Sequence, residues 1–341
     1  MVSANRRDAL TGLAAAGVAG LLPRVVAPVN ASPAKTGEKL ASLVINGMPA
    51  TPSVVMARLI ETGTLSRFAD KAQLKVWRTP DQMRAGVVSG EMAVFGTPSY
   101  SCANMRNRGV PVRLMNIVTW GLLYLMSRDD GVRKIEDMAG KTVLMAFRND
   151  APDLIFRMTL RKLGMNPDTD VKLHYVGAPT EAVQLLLADR ASLAVISEPA
   201  ATAAQIRGAQ AGIAVRRAAD LTAVYGRLTG RPPRIAQAGL GVREDFLQAN
   251  PELVRAIHQG CVESARWVLD NPAEAGKLGA TTLDLAAPVV EKSIPHFRLD
   301  VVAAADAKPD LQHYFTALME MSPDILGGRL PDDAFYWGPA A

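Results

Sequence analysis

From residue 42 onward, short apolar runs alternate with helix-length segments, and the alternation restarts once before giving way to a long helical tail. The first unit reads as strands at 42–46, 74–77 and 92–95, with helices at 53–61, 80–89 and 100–108 between and after them. Two β-branched apolar runs, 112–118 and 121–127, add strands. After the turn Asp129-Asp130-Gly131, strands at 141–147, 171–176 and 192–197 alternate with helices at 153–163, 180–189 and 199–207, and 213–216 adds a further strand. A last strand is expected at 235–242, and residues 243–341 read as nearly all helix. This rhythm predicts an α/β protein with parallel sheets covered on both faces.

A helical tail with no sheet of its own must pack on a domain formed earlier in the chain. The simplest arrangement joins 32–125 with 235–341 as one lobe and inserts 126–234 as a second. Two crossings then link the lobes, with a cleft between two doubly wound sheets. A single large doubly wound sheet is the competing architecture.

The first thirty residues carry a different signal. Arg6 and Arg7 precede an apolar stretch from Ala9 to Leu22 and a small-residue segment that ends near Ala31. A charged head, an apolar middle and a small-residue end describe an export signal, here 1–31, and the paired arginines resemble a twin-arginine signal. The apolar stretch is shorter than the roughly 20 residues that span a bilayer. Export to the periplasm with cleavage near Ala31 is therefore expected. It would remove the chain from cytosolic ATP and nicotinamide cofactors.

Several chemistries are excluded by composition and spacing. The net charge of +5 is spread thinly, with no run of basic residues, so a nucleic-acid partner is not expected. Cys102 and Cys261 cannot build a zinc cage, and the four histidines His174, His258, His296 and His313 show no ligand spacing, so no metal and no cofactor are predicted. Sequence leaves a Cys102–Cys261 disulfide open. Gly140-Lys141-Thr142 lacks the glycine of a phosphate loop, since Ile135 stands there. Gly239-Leu240-Gly241 lacks the third glycine of a dinucleotide fingerprint, since Glu244 stands there. No Gly-x-Ser-x-Gly turn is present.

What remains is a set of strand-to-helix turns. Ligands bind beyond the carboxyl ends of strands in open sheets, where helix N-termini offer unpaired N–H groups. The candidate ligand-binding residues are Met48, Pro49 and Thr51 in the first turn and Thr97 and Ser99 in the second. Arg148, Asn149 and Asp150 occupy the third, Thr180 the fourth, and Ser197 and Glu198 the fifth. Their hydroxyls can cap helices or contact a ligand. Arg148 can clamp a carboxylate or sulfonate, or pair with Asp150. Trp120, where the first unit ends, is either core or a stacking wall of the cleft. Glu198 is either a ligand acceptor or a strut between lobes.

Four segments carry a family resemblance. They are Gly86-Val87-Val88-Ser89-Gly90-Glu91-Met92-Ala93-Val94, Ile135-Glu136-Asp137-Met138-Ala139-Gly140-Lys141-Thr142-Val143, Leu160-Arg161-Lys162-Leu163-Gly164-Met165-Asn166-Pro167-Asp168, and 187–199 ending in Ser197-Glu198-Pro199. In order and spacing the chain resembles the periplasmic solute-binding proteins of ABC importers in the nitrate, sulfonate, taurine and thiamine-precursor group. The resemblance implies a two-lobed, type II-like periplasmic binding protein fold and no enzymatic activity. It also implies a monomer that closes by hinge motion on a small polar or anionic organic solute and delivers it to an inner-membrane ABC permease. An exported enzyme using Glu198 and Asp150 as acid and base, and a ligand-sensing subunit for a membrane kinase, are the alternatives.

Overall fold

The computed structural model describes residues 39–339. The expected export signal lies outside these residues. In chain order the first stretch forms β1 (Leu43–Gly47), α1 (Pro52–Glu61), β2 (Ala72–Val76), α2 (Pro80–Ser89), β3 (Val94–Pro98), α3 (Ser99–Asn107) and β4 (Val112–Thr119). The next forms β5 (Leu123–Ser127), β6 (Thr142–Ala146), α4 (Ala151–Lys162), β7 (Lys172–Val176), α5 (Pro179–Leu187), β8 (Leu193–Ser197), α6 (Ala200–Gln210), β9 (Arg216–Asp220) and α7 (Leu221–Thr229). The last forms β10 (Ala238–Arg243), α8 (Glu244–Ala249), α9 (Pro251–Asp270), α10 (Pro272–Leu283), α11 (Ala287–Ser293), β11 (Leu299–Ala303) and α12 (Lys308–Met321).

Local chemistry sets these boundaries. The Thr79 side chain accepts from the Gln82 N–H to start α2, and Gly90, at φ +85°, ends it in a left-handed turn. Asp220 caps α7 by accepting from the N–H groups of Thr222 and Ala223. In α1, Pro52 occupies the first turn, and Val54, Val55, Met56 and Leu59 are fully buried.

Two sheets result. The first has the order β11-β4-β10-β3-β1-β2 and the second the order β7-β6-β8-β5-β9. Neither is wholly parallel, which corrects the expectation of parallel sheets. β1 runs parallel to β2 and β3, but β10 is antiparallel to β3 and β4, and β11 to β4. In the second sheet β6 runs parallel to β7 and β8, while β5 is antiparallel to β8 and β9. Two of the reversed strands are those by which the chain enters or returns to a sheet: β5 follows the first crossing and β10 the second; β11, at the edge, is reversed as well. The tail is not all helix either, because β11 completes the edge of the first sheet. The expected strand at 213–216 lies further on, as β9.

The two crossings run side by side. The Ile235 N–H donates to the Trp120 carbonyl (2.8 Å), and the Gln237 N–H to that of Thr119 (3.2 Å). Trp120 is buried, with its indole N–H on the Asp300 carbonyl (2.8 Å) and the Arg234 guanidinium 4.5 Å from its ring centroid. Tyr124 donates to the His296 carbonyl (2.9 Å), and Arg298 pairs with Asp220 (2.6 Å), so β5 and α7 are tied to the segment before β11. One apolar core runs unbroken from Phe95 and Leu114 in the first sheet through Trp120 to Leu125 and Val143 in the second and Phe156 of α4. Separate cores fill the far face of each sheet, under α1, α9 and α10 in the first and under α5 and α6 in the second. Cys102 and Cys261 are buried free thiols, and burial pushes the Cys261 thiol up to about 12.

Candidate functional site

Strands β1, β3, β6 and β8 each deliver a turn and a helix start at their carboxyl ends, and turns from the two sheets meet. Tyr100, in the first turn of α3, lies close enough to the carboxylate of Asp150, which caps α4, to feel its charge. Burial and then the Asp150 charge push the Tyr100 phenol well above its ordinary value, so it stays protonated. Tyr314 of α12 is buried near the same carboxylate and is held protonated for the same reasons. A second point of approach packs α6 against α11.

In the first sheet the candidate residues are mostly buried. Met48, Thr51, Thr97 and Ser99 are buried, and Pro49 is exposed. Ser293 donates to the Val290 carbonyl (2.7 Å), which leaves the Thr51 hydroxyl as donor to Ser293 Oγ (3.1 Å). Thr97 donates to the Pro98 carbonyl (3.0 Å), and Ser99 to that of Ala236 (2.6 Å). The Ser99 N–H is also used, by the Gln237 carbonyl (2.8 Å).

In the second sheet the turns carry their own acceptors. Asp150 takes the Ala151 N–H (2.8 Å), and the fully buried Asp153 takes the Asn149 N–H (2.8 Å) and the Tyr175 hydroxyl (3.0 Å). Phe147 and Asn149 flank Arg148 with left-handed φ of 62° and 60°, an uncommon backbone for the bulky, exposed Phe147. This turn sends Arg148 outward, 5.1 Å from the Tyr175 ring centroid. There, with Asn149 and Lys172, it lines a cavity of about 320 Å³ on the outer edge of the sheet. Thr180 is exposed near the start of α5, and Ser197 is half-buried at the end of β8.

Glu198 is almost inaccessible. One carboxylate oxygen accepts from the Thr202 N–H (3.1 Å), and the other takes the Arg217 guanidinium through its Nε (3.1 Å) and Nη2. Arg217 also donates to Thr202 Oγ1 (2.6 Å) and to Gln205, and lies 5.1 Å from the Tyr124 ring centroid. This network joins the start of α6 to β9 and β5 within the second sheet. These bonds of Glu198 tie elements of one sheet and do not bridge the two.

Sequence reasoning missed two residues at the meeting point, Tyr100 and Tyr314, and the nearby Gln237, whose backbone carbonyl takes the Ser99 N–H. Tyr100 directly follows the Ser99 turn, which is a readable signal. Gln237 precedes β10, and its side-chain oxygen is buried without a donor. Tyr314 lies on a tail helix, where spacing carries no hint of the site. Among the described residues no group of three or more metal-ligating side chains occurs.

Burial lowers the affinity of His258, His296 and His313 for protons, and Arg217 adds to the effect at His296. Unfolded, these histidines titrate near about 6.5, so below that pH the unfolded chain binds more protons than the folded one. Their contribution to stability is complete above the unfolded value and falls as the pH drops below it. The melting temperature is expected to decrease between pH 7.5 and 5.5, before the carboxylates titrate. A flat thermal-melt profile across that interval would contradict this.

Comparison with known proteins places the fold. Residues 82–282 match the NMT1-like family. No curated protein sequence matches the chain significantly. A crystal structure described as an ABC transporter from Parabacteroides distasonis superposes with a TM-score of 0.76 at 20% identity, covering 88% of this chain and 100% of that one. The periplasmic aliphatic sulphonate binding protein of Escherichia coli gives 0.68 at 15% identity, covering 88% and 93%. The periplasmic nitrate-binding protein of Synechocystis PCC 6803 gives 0.60 at 12% identity, covering 84% of each chain. At these identities the likeness is one of fold: two mixed α/β sheets in the arrangement of periplasmic binding proteins.

Proposed function

We propose that this chain, which belongs to the NMT1-like family, is the solute-binding component of an ABC import system. It captures one small polar organic solute between two lobes and presents the closed form to a membrane permease. The lobes are 32–125 with 235–341, and 126–234. Sheet membership supports this division, since β10 and β11 lie beside β3 and β4, but it moves the first boundary ahead of Leu123, because all of β5 belongs to the second sheet. The names of the sulphonate- and nitrate-binding proteins that share the fold support the transport role.

One observation carries the reading. Tyr100 at the start of α3 lies near Asp150 at the start of α4, so turns of the two sheets, which are linked by paired crossings, approach each other. Such a geometry closes by rotation about the crossings. Of the two carboxylates proposed for acid–base chemistry, Glu198 is bound to Arg217 and the Thr202 N–H, and one oxygen of Asp150 caps α4. No bond need be broken. Secretion to the periplasm and action as a monomer complete the proposal.

A bound solute stabilises the folded state by mass action, by about 2.7 kcal/mol at a hundredfold excess over Kd. The protein purified from its native compartment is expected to carry a small molecule visible by native mass spectrometry, and to melt at a lower temperature once that molecule is dialysed out. Chemical turnover of that molecule, or the absence of any bound molecule, would overturn the reading.

A further inference from the structure

The cavity of about 320 Å³ at the outer edge of the second sheet lies within one lobe. Every residue that lines it falls between Arg148 and Tyr175, and β7, which forms one wall, is the end strand of its sheet. Its volume is at the small end of the roughly 300–1,000 Å³ of ligand pockets. Pro167 and Val171 are buried and Leu173 is half-buried, which gives the cavity an apolar side.

Two guanidinium groups border it, and they differ. Arg157, one turn beyond Asp153 on α4, pairs with Asp168 (2.6 Å), which lines the same cavity. Arg148 makes no ion pair or side-chain hydrogen bond among the described residues, and lies over the Tyr175 ring. That ring is fixed in turn, because its hydroxyl donates to the fully buried Asp153 (3.0 Å). A guanidinium held against a ring keeps its N–H edge free, and that fork matches a carboxylate. The turn that presents Arg148 holds the bulky Phe147 at a left-handed φ of 62°, a conformation that the surrounding structure has to maintain and that is typical of functional turns. Lys172 adds no third cation. Leu173 and Tyr175 pack into the core beside α4 and Val176 into the core beside α5, so strand alternation sends the Lys172 side chain to the α5 face.

We propose that this cavity binds a small organic acid, with its carboxylate on the N–H edge of Arg148 and its apolar body against Pro167, Val171 and Leu173. Arg157 already faces one carboxylate, so the cavity offers one uncommitted positive charge. A monocarboxylate matches it, whereas a phosphate or sulfate dianion leaves a charge unmatched. The site is separate from the interlobe solute, because the first lobe supplies none of its lining.

Isothermal titration of the full chain with benzoate and butyrate, against inorganic phosphate, sulfate and benzylamine, tests the proposal. A monocarboxylate is expected to bind one to one. Arg148→Gln should weaken it about 10- to 100-fold, the loss of a charge-assisted hydrogen-bonded pair. Arg148→Lys should recover only part of that loss, because lysine keeps the charge but not the fork. Both variants should melt as the parent does, since Arg148 is exposed and unpaired. Lys162→Gln, at the exposed end of α4 and outside the cavity, controls for diffuse attraction and should leave affinity unchanged. Native mass spectrometry should show the acid bound together with the co-purified molecule. Displacement of that molecule by the acid, equal losses in Arg148→Gln and Lys162→Gln, tighter binding of phosphate or sulfate than of either acid, or no carboxylate binding at all would overturn the proposal. The solute-binding reading stands or falls separately, on the co-purified molecule itself. If none is carried, that reading fails and the Arg148 titrations still decide the cavity.

Discussion

Replacing Gly239 by alanine is expected to cost about 4 kcal/mol or more and to leave little soluble folded protein. Gly239 lies in β10, hydrogen-bonded on both sides between β3 and β4, at a point where the pairing with β4 slips by a residue. A Cβ there would stand 1.8 Å from the Asn116 carbonyl oxygen and 2.9 Å from the Ile117 Cα. Those atoms are backbone in the adjacent strand, so no rotamer change relieves the overlap. Core overpacking by a flexible side chain costs typically about 1–3 kcal/mol, and a rigid backbone overlap in a central strand exceeds that. Gly177→Ala is the control: its Cβ would meet only a Glu181 side-chain oxygen at 3.3 Å. Chemical denaturation should separate the two variants widely. A Gly239→Ala protein as stable as wild type would mean that β10 does not pack between β3 and β4 as described.

That glycine also shows where the sequence was legible and where it was not. Gly239-Leu240-Gly241 invites comparison with a nucleotide-binding fingerprint and fails it, yet the glycines are there for contact. A Cβ at Gly241 would press at 2.6 Å on the Phe95 ring. Spacing detects such a pair but not the neighbouring strand that demands it. The β1–α1, β3–α3 and β6–α4 units were readable because each apolar run gives way to a proline at or beside the helix start, and Asp150 also caps α4. Strand β9 was not, because Arg216-Arg217-Ala218-Ala219-Asp220 has no apolar run and is held at the sheet edge by pairing with β5. β11 was missed because five residues in a helical tail gain their identity from β4, far back in the chain. The candidate site divides the same way. Turns that would face a cleft could be identified from their position after strands, whereas Gln237 and Tyr314 depend on which strand and helix return to the first sheet.

Arg217→Met is expected to destabilise the protein by about 3–5 kcal/mol, because it strands a buried carboxylate. The Glu198 side chain is fully inaccessible, and without Arg217 its only remaining partner is the Thr202 N–H. Glu198→Gln should cost less. It leaves Arg217 with Thr202, Gln205 and the Tyr124 ring, and that side chain keeps 16% of its surface in contact with solvent. The double variant Glu198→Gln/Arg217→Met removes both charges and should regain part of the loss, so that the cycle yields a coupling of about 1–3 kcal/mol. Equilibrium unfolding of the four proteins measures it. Additive effects would show that the pair contributes nothing as a unit. The same variants distinguish a strut from a ligand group. If Glu198 only ties α6 to β9, solute affinity should follow stability and recover in the double variant. If it contacts the solute, affinity stays lost in the double variant after stability has returned.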